Sequence, residues 1–342
     1  MIVSDAWHPQ VNGVVRTLGT VAELLRQRGL AVEIIGPDRF ATVPMPGYAS
    51  IRLAVLPARR LARLIDAFRP DALHVATEGP LGLAARRLAM ARGWRFTTSF
   101  HTRFAEYLQA RTRVPVAVPY AWLRRFHAAA AGTMVATPSL REDLAARGFR
   151  DLLPWTRGVD LARFRPEPRE DWPFPRPVFV YVGRVAVEKN IAAFLSLDLP
   201  GSKVVVGDGP QRASLERRFP EARFVGERHG EPLSRAYAGS DVFVFPSVTD
   251  TFGLVLLESL ACGTPVAAYP VTGPKDVIGR APVGALDADL RAAALRALTL
   301  DRAACRPYAE RFSWAACVDG FAANLVPLIE APRPEALAEA AQ

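Results

Sequence analysis

Short apolar runs alternate with amphipathic segments along nearly the whole chain. In the first half, the runs are rich in Val, Ile, Leu and Thr and fall at 1–6, 31–37, 51–57, 72–77, 95–101 and 132–139. The segments between them repeat apolar residues every three or four positions and fall at 13–29, 57–68, 80–93 and 120–132. Continuous apolar strands separated by helices are typical of a parallel sheet that helices cover on both faces. The first half is therefore predicted to be an α/β domain.

A second domain of the same class is predicted after a linker. Residues 165–177 are dense in proline and charge and have no periodicity, as linkers do. The alternation then begins again, with apolar runs at 177–184, 202–210, 222–227, 241–247 and 264–270. We predict two Rossmann-like, doubly wound domains that face each other across a cleft, the first at 1–164 and the second at 165–304. Ligands of such domains bind at the carboxyl ends of the strands.

Composition and cysteine use narrow the class of protein. Hydrophobic residues make up 50% of the chain and charged residues 23%, which is a globular composition. No apolar run approaches the roughly 18 residues that a membrane span needs, and the first ten residues lack the features of a signal peptide. Cys262, Cys305 and Cys317 form no CxxC pair, as is usual in a reducing compartment. We therefore expect a cytoplasmic protein.

The formal charge of +9 comes mostly from arginine. A nucleic-acid partner is not expected, because the chain has no dense basic run, no zinc-ligand spacing and no aromatic RNA-binding motif. A surface attracted to anionic lipid or to a phosphorylated substrate is one explanation of the charge. Base bias of the genome is the other explanation, and the composition alone does not separate the two.

Polar residues follow the strands of the first predicted domain. Gly13 opens a helix in the loop HPQVNGVV, where amide groups and the helix dipole favour an anion, and Asn12 is placed to cap that helix. His101 ends a strand two residues before Arg103, and Glu78 follows another strand. Each has a structural alternative, such as packing for His101 or a favourable charge at a helix start for Glu78. The loop lacks GxGxxG, which disfavours a nicotinamide dehydrogenase.

Cations and glycines follow the strands of the second predicted domain. Arg184 and Lys189 lie close together in GRVAVEKN, and two cations repel each other unless an anion such as a diphosphate joins them. The alternative is a solvated loop in which Glu188 neutralises Lys189. Glycines let the backbone approach a ligand or make a tight turn. The glycines and the acidic residue of these loops are Gly183, Gly207, Asp208 and Gly209.

The segment TDTFGLVLLES places two carboxylates at the two ends of an apolar stretch. Asp250 precedes a glycine-containing turn, and Glu258 interrupts what otherwise reads as a buried helix. A buried carboxylate is costly unless it is paired or hydrogen-bonded. Glu258 is therefore predicted to face the cleft. The start of this helix offers amide groups to a phosphate and consists of Thr251, Phe252, Gly253 and Leu254.

Together these stretches resemble the retaining glycosyltransferases of family four, which have the two-domain GT-B fold. The matching stretches occur in family order over about 300 residues and read HPQVNGVVRTL, ATEGPLG, TSFHTRF, RGVD followed by RF, YVGRVAVEKN, GDGP and TDTFGLVLLESLACGTPVAAYPVTGP. Within the family, these stretches are most similar to those of bacterial GDP-mannose-dependent α-mannosyltransferases that act on lipid acceptors. The resemblance also implies a C-terminal helix, at about 305–328, that packs back on the first domain.

The resemblance implies a role for each matching position. Gly13 approaches the donor phosphate and sugar, and His101 touches the transferring sugar. Arg184 and Lys189 neutralise the diphosphate leaving group. The family motif E-x7-E falls on Asp250 and Glu258, of which the first contacts the donor sugar and the second the ribose hydroxyls. Catalytic roles thus fall on His101, Arg184, Lys189 and Asp250, and acceptor-side roles on Asn12, Glu78 and Arg103.

The chain departs from the family motif at its first carboxylate. Asp250 stands where the family usually has glutamate, and its side chain is one methylene shorter. The contact with the sugar must therefore move, weaken or use another hydroxyl. Asp250 is the residue that we expect to determine which donor sugar is selected. No metal and no cofactor are expected, and the single Asp-x-Asp, at Asp287 and Asp289, is predicted to be a surface loop outside the strand ends.

Two segments bear on the acceptor. Residues 58–68 place Leu61 and Ile65 on one helical face and arginines elsewhere, and residues 119–131 mix aromatic residues with Arg124 and Arg125. Such helices suit an anionic membrane surface, and the alternative is that both pack on the sheet of the first domain. A peripheral location on the inner face of the cell membrane is thus one expectation.

The sequence therefore predicts a metal-independent hexosyltransferase that forms an α-glycosidic bond. The expected donor is GDP-mannose, and the expected acceptor is a glycolipid or lipid-linked sugar. The alternatives are a UDP-sugar-dependent glucosyl or sulfoquinovosyl glycolipid transferase and, in another class, a non-catalytic nucleotide-sugar-binding protein. A nucleotide-sugar epimerase of related two-domain fold is disfavoured, because it does not need this full set of strand-end residues.

Overall fold

A computed structural model describes residues 1–10, 12–45, 48–112, 114–168 and 172–329. These residues form two six-stranded parallel sheets and one two-stranded antiparallel sheet. Helices cover both faces of each large sheet, and the buried side chains between helices and sheets form five hydrophobic clusters. The two-domain, doubly wound architecture that the hydrophobic pattern predicts is confirmed. Residues 169–171 of the predicted linker lie outside the described residues.

The first domain contains eight strands and six helices among its described residues. The strands are β1 (Ile2–Val3), β2 (Ile34–Ile35), β3 (Thr42–Met45), β4 (Tyr48–Ala54), β5 (His74–Val75), β6 (Thr97–Phe100), β7 (Gly132–Val135) and β8 (Leu152–Pro154). The helices are α1 (Gly13–Gln27), α2 (Ala58–Phe68), α3 (Pro80–Ala91), α4 (Phe104–Thr112), α5 (Ala117–His127) and α6 (Pro138–Ala146). The parallel sheet has the order β2-β1-β5-β6-β7-β8.

One predicted strand has a different place from the expected one. The apolar run at 51–57 does not join the parallel sheet, and β4 instead pairs antiparallel with β3 in a separate hairpin. The reason is that parallel neighbours need a long crossover, whereas β3 and β4 are only two residues apart in the chain and can pair only as a hairpin. Helix α4, which directly follows the loop after β6, was not predicted from the periodicity.

The second domain repeats the same construction. Its strands are β9 (Val178–Val182), β10 (Ser202–Val206), β11 (Arg223–Gly226), β12 (Val242–Phe245), β13 (Val266–Ala268) and β14 (Gly284–Leu286), in the order β11-β10-β9-β12-β13-β14. Its helices are α7 (Ile191–Leu195), α8 (Arg212–Arg218), α9 (Gly230–Gly239), α10 (Leu254–Ala261), α11 (Pro274–Val277), α12 (Leu290–Ala297) and α13 (Cys305–Ala309). Short 3-10 turns lie at Pro37–Arg39, Val187–Lys189 and Arg302–Ala304.

Strand β9 shows why continuous apolar runs form the centres of these sheets. All five of its residues are buried, and they alternate between the two faces. Val178, Val180 and Val182 belong to one hydrophobic cluster, whereas Phe179 and Tyr181 belong to the other. Side chains of a strand alternate between faces, so a strand with helices on both sides has no solvent-facing position. Each fully buried side chain of this size stabilises the fold by about 1.5–3 kcal/mol.

The last helix, α14 (Trp314–Asn324), belongs to the first domain although it follows the second domain in the chain. Its residues Cys317, Val318 and Phe321 are buried in a cluster with Leu18 of α1 and with Trp155. Helix α13 instead packs in the second domain, where Cys305 and Ala309 join the cluster beside α10. The helix that crosses back is therefore shorter than the predicted range of about 305–328.

Candidate active site

The carboxyl ends of the two parallel sheets meet at a cleft, and direct hydrogen bonds cross it. The Thr251 hydroxyl donates to the His101 carbonyl oxygen at 2.7 Å, and Arg103 Nη2 donates to Thr272 Oγ1 at 3.0 Å. The Ser139 amide donates to Asp276 Oδ1 at 2.8 Å. These contacts hold the strand ends of the first domain against residues 251–276 of the second domain. Most of the predicted site residues lie on or beside these elements.

Helix α1 begins at the cleft. Asn12 caps it, because its Oδ1 accepts from the amides of Val14 and Val15 at 3.0 Å each. The capping role that the sequence offered as an alternative for Asn12 is therefore present. Gly13 is exposed, and a Cβ there would lie 3.6 Å from Leu254 Cδ1 of α10. The start of α1 thus lies against the start of α10, and both helix N-termini face one space.

His101 follows β6 and is bonded on both ring nitrogens. Its Nε2 lies 2.8 Å from Ser99 Oγ, and its Nδ1 lies 3.4 Å from Arg157 Nη2. The ring packs edge-on against Trp155, with centroids 5.6 Å apart. Burial, together with the positive charge of Arg157, lowers the pKa of His101 well below its usual value. The imidazole is therefore a neutral group of fixed orientation at the floor of the cleft.

Glu78 and Arg103 are each paired inside the protein. His127 Nε2 lies 3.2 Å from Glu78 Oε1. Arg103 pairs with Glu106 at 3.2 Å and with Asp143 at 3.0 Å, in addition to its bond to Thr272. The charge of Arg103 is therefore already paired with carboxylates in a cluster at the domain interface. Its acceptor-side role remains a prediction, as does that of Glu78.

Asp5, which was not singled out from the sequence, caps α3. Its carboxylate accepts from the amides of Leu81 at 2.8 Å and Gly82 at 3.1 Å and from the Thr77 hydroxyl at 2.9 Å. Burial raises the pKa of Asp5, and these three hydrogen bonds oppose the rise. The sequence offered Glu78 for the start of this helix, whereas the structure uses Asp5. The signal for Asp5 is its position at the end of β1.

Lys189 and Asp250 meet in the second domain. Lys189 Nζ lies 2.5 Å from Asp250 Oδ1, and the two side chains are about one-fifth exposed. Asp250 Oδ2 is buried and accepts no hydrogen bond from the residues that the structure describes. Glu188, offered from the sequence as the neutralising partner of Lys189, uses its carbonyl oxygen to accept from Thr249 and Ser247. Lys189 thus links the loop after β9 to the loop after β12.

The glycines of the second domain allow three strand-end loops to pack against one another. Gly207 has φ +150°, and a Cβ there would lie 1.9 Å from the Gly183 carbonyl oxygen. Arg184 follows Gly183 in the same loop, and its carbonyl oxygen accepts from the Tyr181 hydroxyl at 2.9 Å. A side chain at 207 would therefore separate the loop that carries Arg184 from the loop after β10. Gly209 packs in the same way against Val185.

The Asp208 side chain, predicted to bind the donor, has partners close to it in the chain. Its carboxylate accepts from the Gly209 amide at 2.6 Å and from Arg212 at 2.9 Å, and both bonds lower its pKa. It is exposed, and its partners belong to its own loop and to α8. Its bonds thus match the turn-forming alternative.

Glu258 lies on α10 and is bonded on both carboxylate oxygens. Arg16 of α1 pairs with Oε1 across the domain boundary, and the Tyr237 hydroxyl donates to Oε2 at 3.1 Å. Glu258 is only 3% exposed, and burial beside this carboxylate raises the pKa of Tyr237 well above its usual value. Glu258 was predicted to face the cleft and to contact ribose hydroxyls, and Arg16 and Tyr237 already supply a partner for each of its oxygens. The contact with ribose remains a prediction. Arg16 lies one turn after Gly13, which was the available signal.

The start of α10 has the geometry of an amide-lined turn. Gly253 has φ +84° and precedes the helix, so its backbone adopts a left-handed conformation that favours glycine. Phe252 is buried, whereas Thr251, Gly253 and Leu254 are partly exposed. The Thr137 hydroxyl of the first domain approaches the Thr251 carbonyl oxygen at 3.4 Å.

The Asp-x-Asp sequence has a structural role. Asp287 directly follows β14, so the prediction that it lies outside the strand ends was wrong. It pairs with Arg296 at 2.8 Å, and Asp289 caps α12 by accepting from the amides of Arg291 and Ala292. Over the described ranges, no three His, Cys, Asp or Glu side chains cluster as a metal site would require.

Comparisons with known proteins place this cleft in a family. A family model described as Glycosyltransferase Family 4 matches residues 11–163, and one described as Glycosyl transferases group 1 matches residues 176–301. The chain is 34% identical over 310 residues to the GDP-mannose-dependent alpha-mannosyltransferase of Mycobacterium tuberculosis, covering 81% of this chain and 80% of the relative. It is 32% identical over 276 residues to the sulfoquinovosyl transferase SQD2 of Arabidopsis thaliana, covering 76% of this chain and 54% of the relative.

Solved structures agree on the fold. Sucrose-phosphate synthase from Thermosynechococcus elongatus has a TM-score of 0.73 at 20% identity, covering 94% of this chain and 96% of that chain. Anabaena Alr3699/HepE in complex with UDP and glucose has a TM-score of 0.66 at 14% identity, covering 94% of this chain and 97% of that chain. The GT-B fold expected from the motifs is confirmed. The chain belongs to glycosyltransferase family 4 and is a glycosyltransferase of the GT-B fold.

Proposed function

We propose that the protein transfers mannose from GDP-mannose to a hydroxyl group of a glycolipid or lipid-linked sugar and retains the α configuration. The observation that carries this proposal is the 34% identity over 310 residues to a relative named as a GDP-mannose-dependent alpha-mannosyltransferase. A second relative of that name, from Mycolicibacterium smegmatis, is 33% identical over 312 residues. A UDP-sugar is the alternative donor, and the experiment below compares the two.

The second domain supplies the charges that donor cleavage needs. When the bond between the anomeric carbon and the diphosphate breaks, negative charge develops on the departing phosphate oxygen. Arg184 and Lys189 follow the same strand, and cations fixed at the place where this charge develops lower the barrier. The helix starts at Gly13 and Leu254 add amide groups and positive helix ends to the same space.

Asp250 is the candidate contact of the sugar. Its Oδ1 is held by Lys189, which fixes the carboxylate, while the buried Oδ2 has no donor in the described part of the chain. A buried acceptor without a partner is unfavourable, so a hydroxyl group of the bound sugar would remove a penalty of about 1–3 kcal/mol. We propose that this hydroxyl sets the preference for the transferred sugar.

Retention in a single step means that the acceptor attacks from the face that the diphosphate leaves. In the proposed step, the bond from the anomeric carbon to the phosphate oxygen breaks and the bond from the acceptor oxygen to that carbon forms on the same face. The acceptor proton passes to the departing phosphate oxygen, so no protein base is required. The positive charge of Arg184 and Lys189 stabilises the leaving group, and we propose that neither a metal nor a cofactor is needed.

The first domain carries a surface suited to anionic lipid. The apolar faces of α2 and α5 are buried in the domain at Leu61, Ile65 and Phe126, as the packing alternative predicts. Other apolar side chains remain outside, because Leu56 is 91% exposed and Trp122 is 42% exposed. Exposed arginines lie near them in the chain, at Arg59, Arg60, Arg63, Arg124 and Arg125. Apolar tips among cations suit a peripheral contact with anionic headgroups on the cytoplasmic side. Over the described residues, no helix is long and apolar enough to cross a bilayer.

Donor choice can be tested by nucleotide binding followed by product analysis. GDP, UDP and ADP are compared by the thermal unfolding midpoint, since a bound nucleotide stabilises the folded state by mass action. We expect the largest rise with GDP, and mannose transfer from GDP-mannose to a glycolipid acceptor in the presence of EDTA. A rise with UDP alone would favour the alternative donor, and binding without transfer or donor hydrolysis would favour a non-catalytic protein.

The membrane contact has a separate test. Vesicles with and without anionic lipid are sedimented with the protein at low and high salt. We expect binding to anionic vesicles that weakens with salt, and weaker binding of Leu56→Ser with Trp122→Ser. Equal sedimentation with neutral and anionic vesicles, or none with either, would contradict the proposed surface.

A further inference from the structure

A continuous chain of hydrogen bonds runs beneath the first-domain side of the cleft. His74, on β5, lies 2.9 Å from Thr97 Oγ1 through Nδ1 and 3.0 Å from Ser99 Oγ through Nε2. Ser99 Oγ also lies 2.8 Å from His101 Nε2, and His101 Nδ1 lies 3.4 Å from Arg157 Nη2. The chain therefore joins the interior of the sheet to His101, which follows β6 at the cleft.

Arg157 is an unusual residue in this chain of contacts. It is only 4% exposed, and its Nη1 donates to the carbonyl oxygens of Trp155 at 2.6 Å and Thr156 at 3.0 Å. Its guanidinium lies 4.0 Å from the centroid of the Trp155 ring. Burial lowers the pKa of Arg157 to about 10, so the group remains charged at neutral pH. Within the described residues, no carboxylate lies at ion-pair distance from it.

The support for Arg157 comes from the helix that crosses back. Trp155 Nε1 donates to the Cys317 carbonyl oxygen at 3.1 Å, and the Trp155 ring lies 5.0 Å from that of Phe321. Helix α14 thus fixes the indole on which the guanidinium lies. A buried charge that is held by carbonyl dipoles and an aromatic face, without a counter-ion, has to be maintained by this packing.

The direction of the hydrogen bonds follows from the chemistry of arginine. A guanidinium can only donate, so His101 Nδ1 must accept and must lack a proton. The proton of the neutral ring is then on Nε2, which donates to Ser99 Oγ. The Ser99 hydroxyl in turn donates a hydrogen bond, either to His74 Nε2 or to the Ala76 carbonyl oxygen at 3.3 Å. The structure thus allows one neutral tautomer of His101.

We propose that Arg157 is a positioning residue for glycosyl transfer, which holds His101 as the neutral tautomer with its proton on Nε2 and fixes the edge of the ring that faces the donor sugar. The proposal rests on the proposed function, in which His101 contacts the transferring sugar. Its physical reason is electrostatic. Positive charge develops at the anomeric carbon during cleavage, and a cationic imidazolium beside it would raise the barrier.

Other titratable groups around His101 do not replace Arg157. His74, whose pKa burial lowers to about 3, is a neutral member of the chain. His127 contributes a smaller effect on His101 and is itself paired with Glu78. From the second domain, the contact with His101 is the uncharged Thr251 hydroxyl on its carbonyl oxygen. Arg157 is therefore the charged group that is bonded to the ring.

The test measures the tautomer and the rate separately. Protein labelled with 15N at histidine is examined by long-range proton–nitrogen NMR between pH 6 and 8, and His101→Gln identifies the signal. We expect unprotonated Nδ1 and protonated Nε2 in the wild-type protein and in Arg157→Lys. In Arg157→Met we expect the signal to move toward a mixture of tautomers or a protonated ring. Arg163→Met, at an exposed arginine, is the matched control and should change nothing.

Activity provides the second measurement. Arg157→Met is expected to lower kcat by about 10- to 100-fold with a small change in donor KM, because the reacting geometry is lost while binding remains. Arg157→Lys should recover part of the loss. An unchanged His101 signal in Arg157→Met overturns the proposal even if the rate falls, since that pattern means a structural role only.

The wild-type spectrum keeps the proposal testable if Arg157→Met does not fold. A wild-type His101 that carries its proton on Nδ1, or that is protonated near pH 6.5, overturns the proposal without any variant. The NMR measurement needs no substrate, so failure of the proposed function is distinguishable. A protein without mannosyl transfer but with the expected tautomer contradicts the proposed donor and supports the role of Arg157.

Discussion

On the first-domain side of the cleft, the Asp5 carboxylate caps helix α3 and the His101 ring belongs to a chain of hydrogen bonds. Both side chains therefore have their partners inside their own domain. On the second-domain side, Lys189 and Asp250 form a partly exposed ion pair, and the second carboxylate oxygen of Asp250 has no hydrogen-bond partner among the described residues. The first side thus satisfies its polar groups within its own domain, whereas the second side holds a carboxylate oxygen that a ligand can engage. We therefore expect the first domain to orient the sugar and the second domain to stabilise the leaving group.

Both sides contain glycines whose backbone is closely packed. In the second domain, a Cβ at Gly207 would lie 1.9 Å from the Gly183 carbonyl oxygen. In the first domain, a Cβ at Gly82 would lie 1.8 Å from the Thr77 carbonyl oxygen, whereas one at Gly13 would meet only Leu254 at an ordinary contact distance. The two sides therefore differ in charge rather than in backbone packing, and the four predictions below begin with the charged second side.

The largest effect is expected for Lys189→Ala. Loss of the cation beside the departing diphosphate should lower the transfer rate by about 100- to 1,000-fold, because a preorganised charge acts most strongly in the transition state. Folding should remain intact, as judged by circular dichroism and the thermal midpoint. Lys275→Ala, at an exposed lysine of the same domain, is the control and should retain activity. Near-wild-type turnover in Lys189→Ala would exclude Lys189 from the site.

The next effect is expected for Gly207→Ala. The new Cβ would lie 1.9 Å from the Gly183 carbonyl oxygen, and φ +150° is unfavourable for alanine. Steric overlap and backbone strain together should lower the free energy of unfolding by about 3 kcal/mol. Urea denaturation measures it, with Gly320→Ala as the control. That Cβ on α14 would meet nothing within 4 Å, so a stabilisation of about 0.5–1 kcal/mol is expected. Equal stability of the two variants would contradict the packing of these loops.

A smaller effect is expected for the ion pair that joins the two sides. Arg16→Met leaves the buried Glu258 with Tyr237 as its partner, and Arg16 itself is one-third exposed. We expect a loss of about 1–3 kcal/mol in the free energy of unfolding, below that of a fully buried pair. Adding Glu258→Gln should restore part of it. The control is Arg28→Met, whose pair with Asp319 is exposed and should contribute at most about 0.5 kcal/mol. Additive losses in the double variant would mean that the pair is uncoupled.

The most gradual effect is the pH dependence of the neutral histidines of the first domain. Burial lowers the pKa of His74 to about 3 and that of His101 well below its usual 6.5. The unfolded chain therefore binds protons that the folded protein excludes, and stability should fall as pH drops below about 6.5. The slope approaches about 1.4 kcal/mol per pH unit for each histidine. Urea denaturation between pH 7.5 and 5.5 measures it, and His74→Gln should reduce the slope. A flat profile would show that these histidines protonate in the fold.

The elements of the fold follow closely from the hydrophobic pattern where strands are buried on both faces. The strand predicted at 177–184 contains β9, and the helix predicted at 13–29 contains α1. The prediction failed at β4, because an apolar run does not reveal whether its partner is a distant parallel strand or an adjacent hairpin strand. The motifs placed Lys189 and Asp250 in loops that follow strands, and the structure joins the two by an ion pair that the sequence did not predict.

The partners of the site residues were less accessible from the sequence. Glu258 was expected to have ribose hydroxyls as its partners. The structure instead shows a contact with Arg16, which lies 242 positions away in the chain. Arg157 belongs to the segment RGVD, which matches the family, but nothing in its spacing indicated that its guanidinium would contact His101. Such pairs depend on which distant elements the tertiary fold brings together, and no local periodicity contains that information.

The sequence by itself determined two α/β domains, the family and the residues that end its strands, because strand burial, helix periodicity and glycine-containing turns are local properties of the chain. The tertiary structure alone decided which of those residues are already satisfied. It pairs Glu258 with Arg16, makes Asp5 a cap, and places Arg157 behind His101. The physical reason is that a hydrogen bond or a buried charge is defined by neighbours in space, and these neighbours come from distant strands and from the returning helix α14.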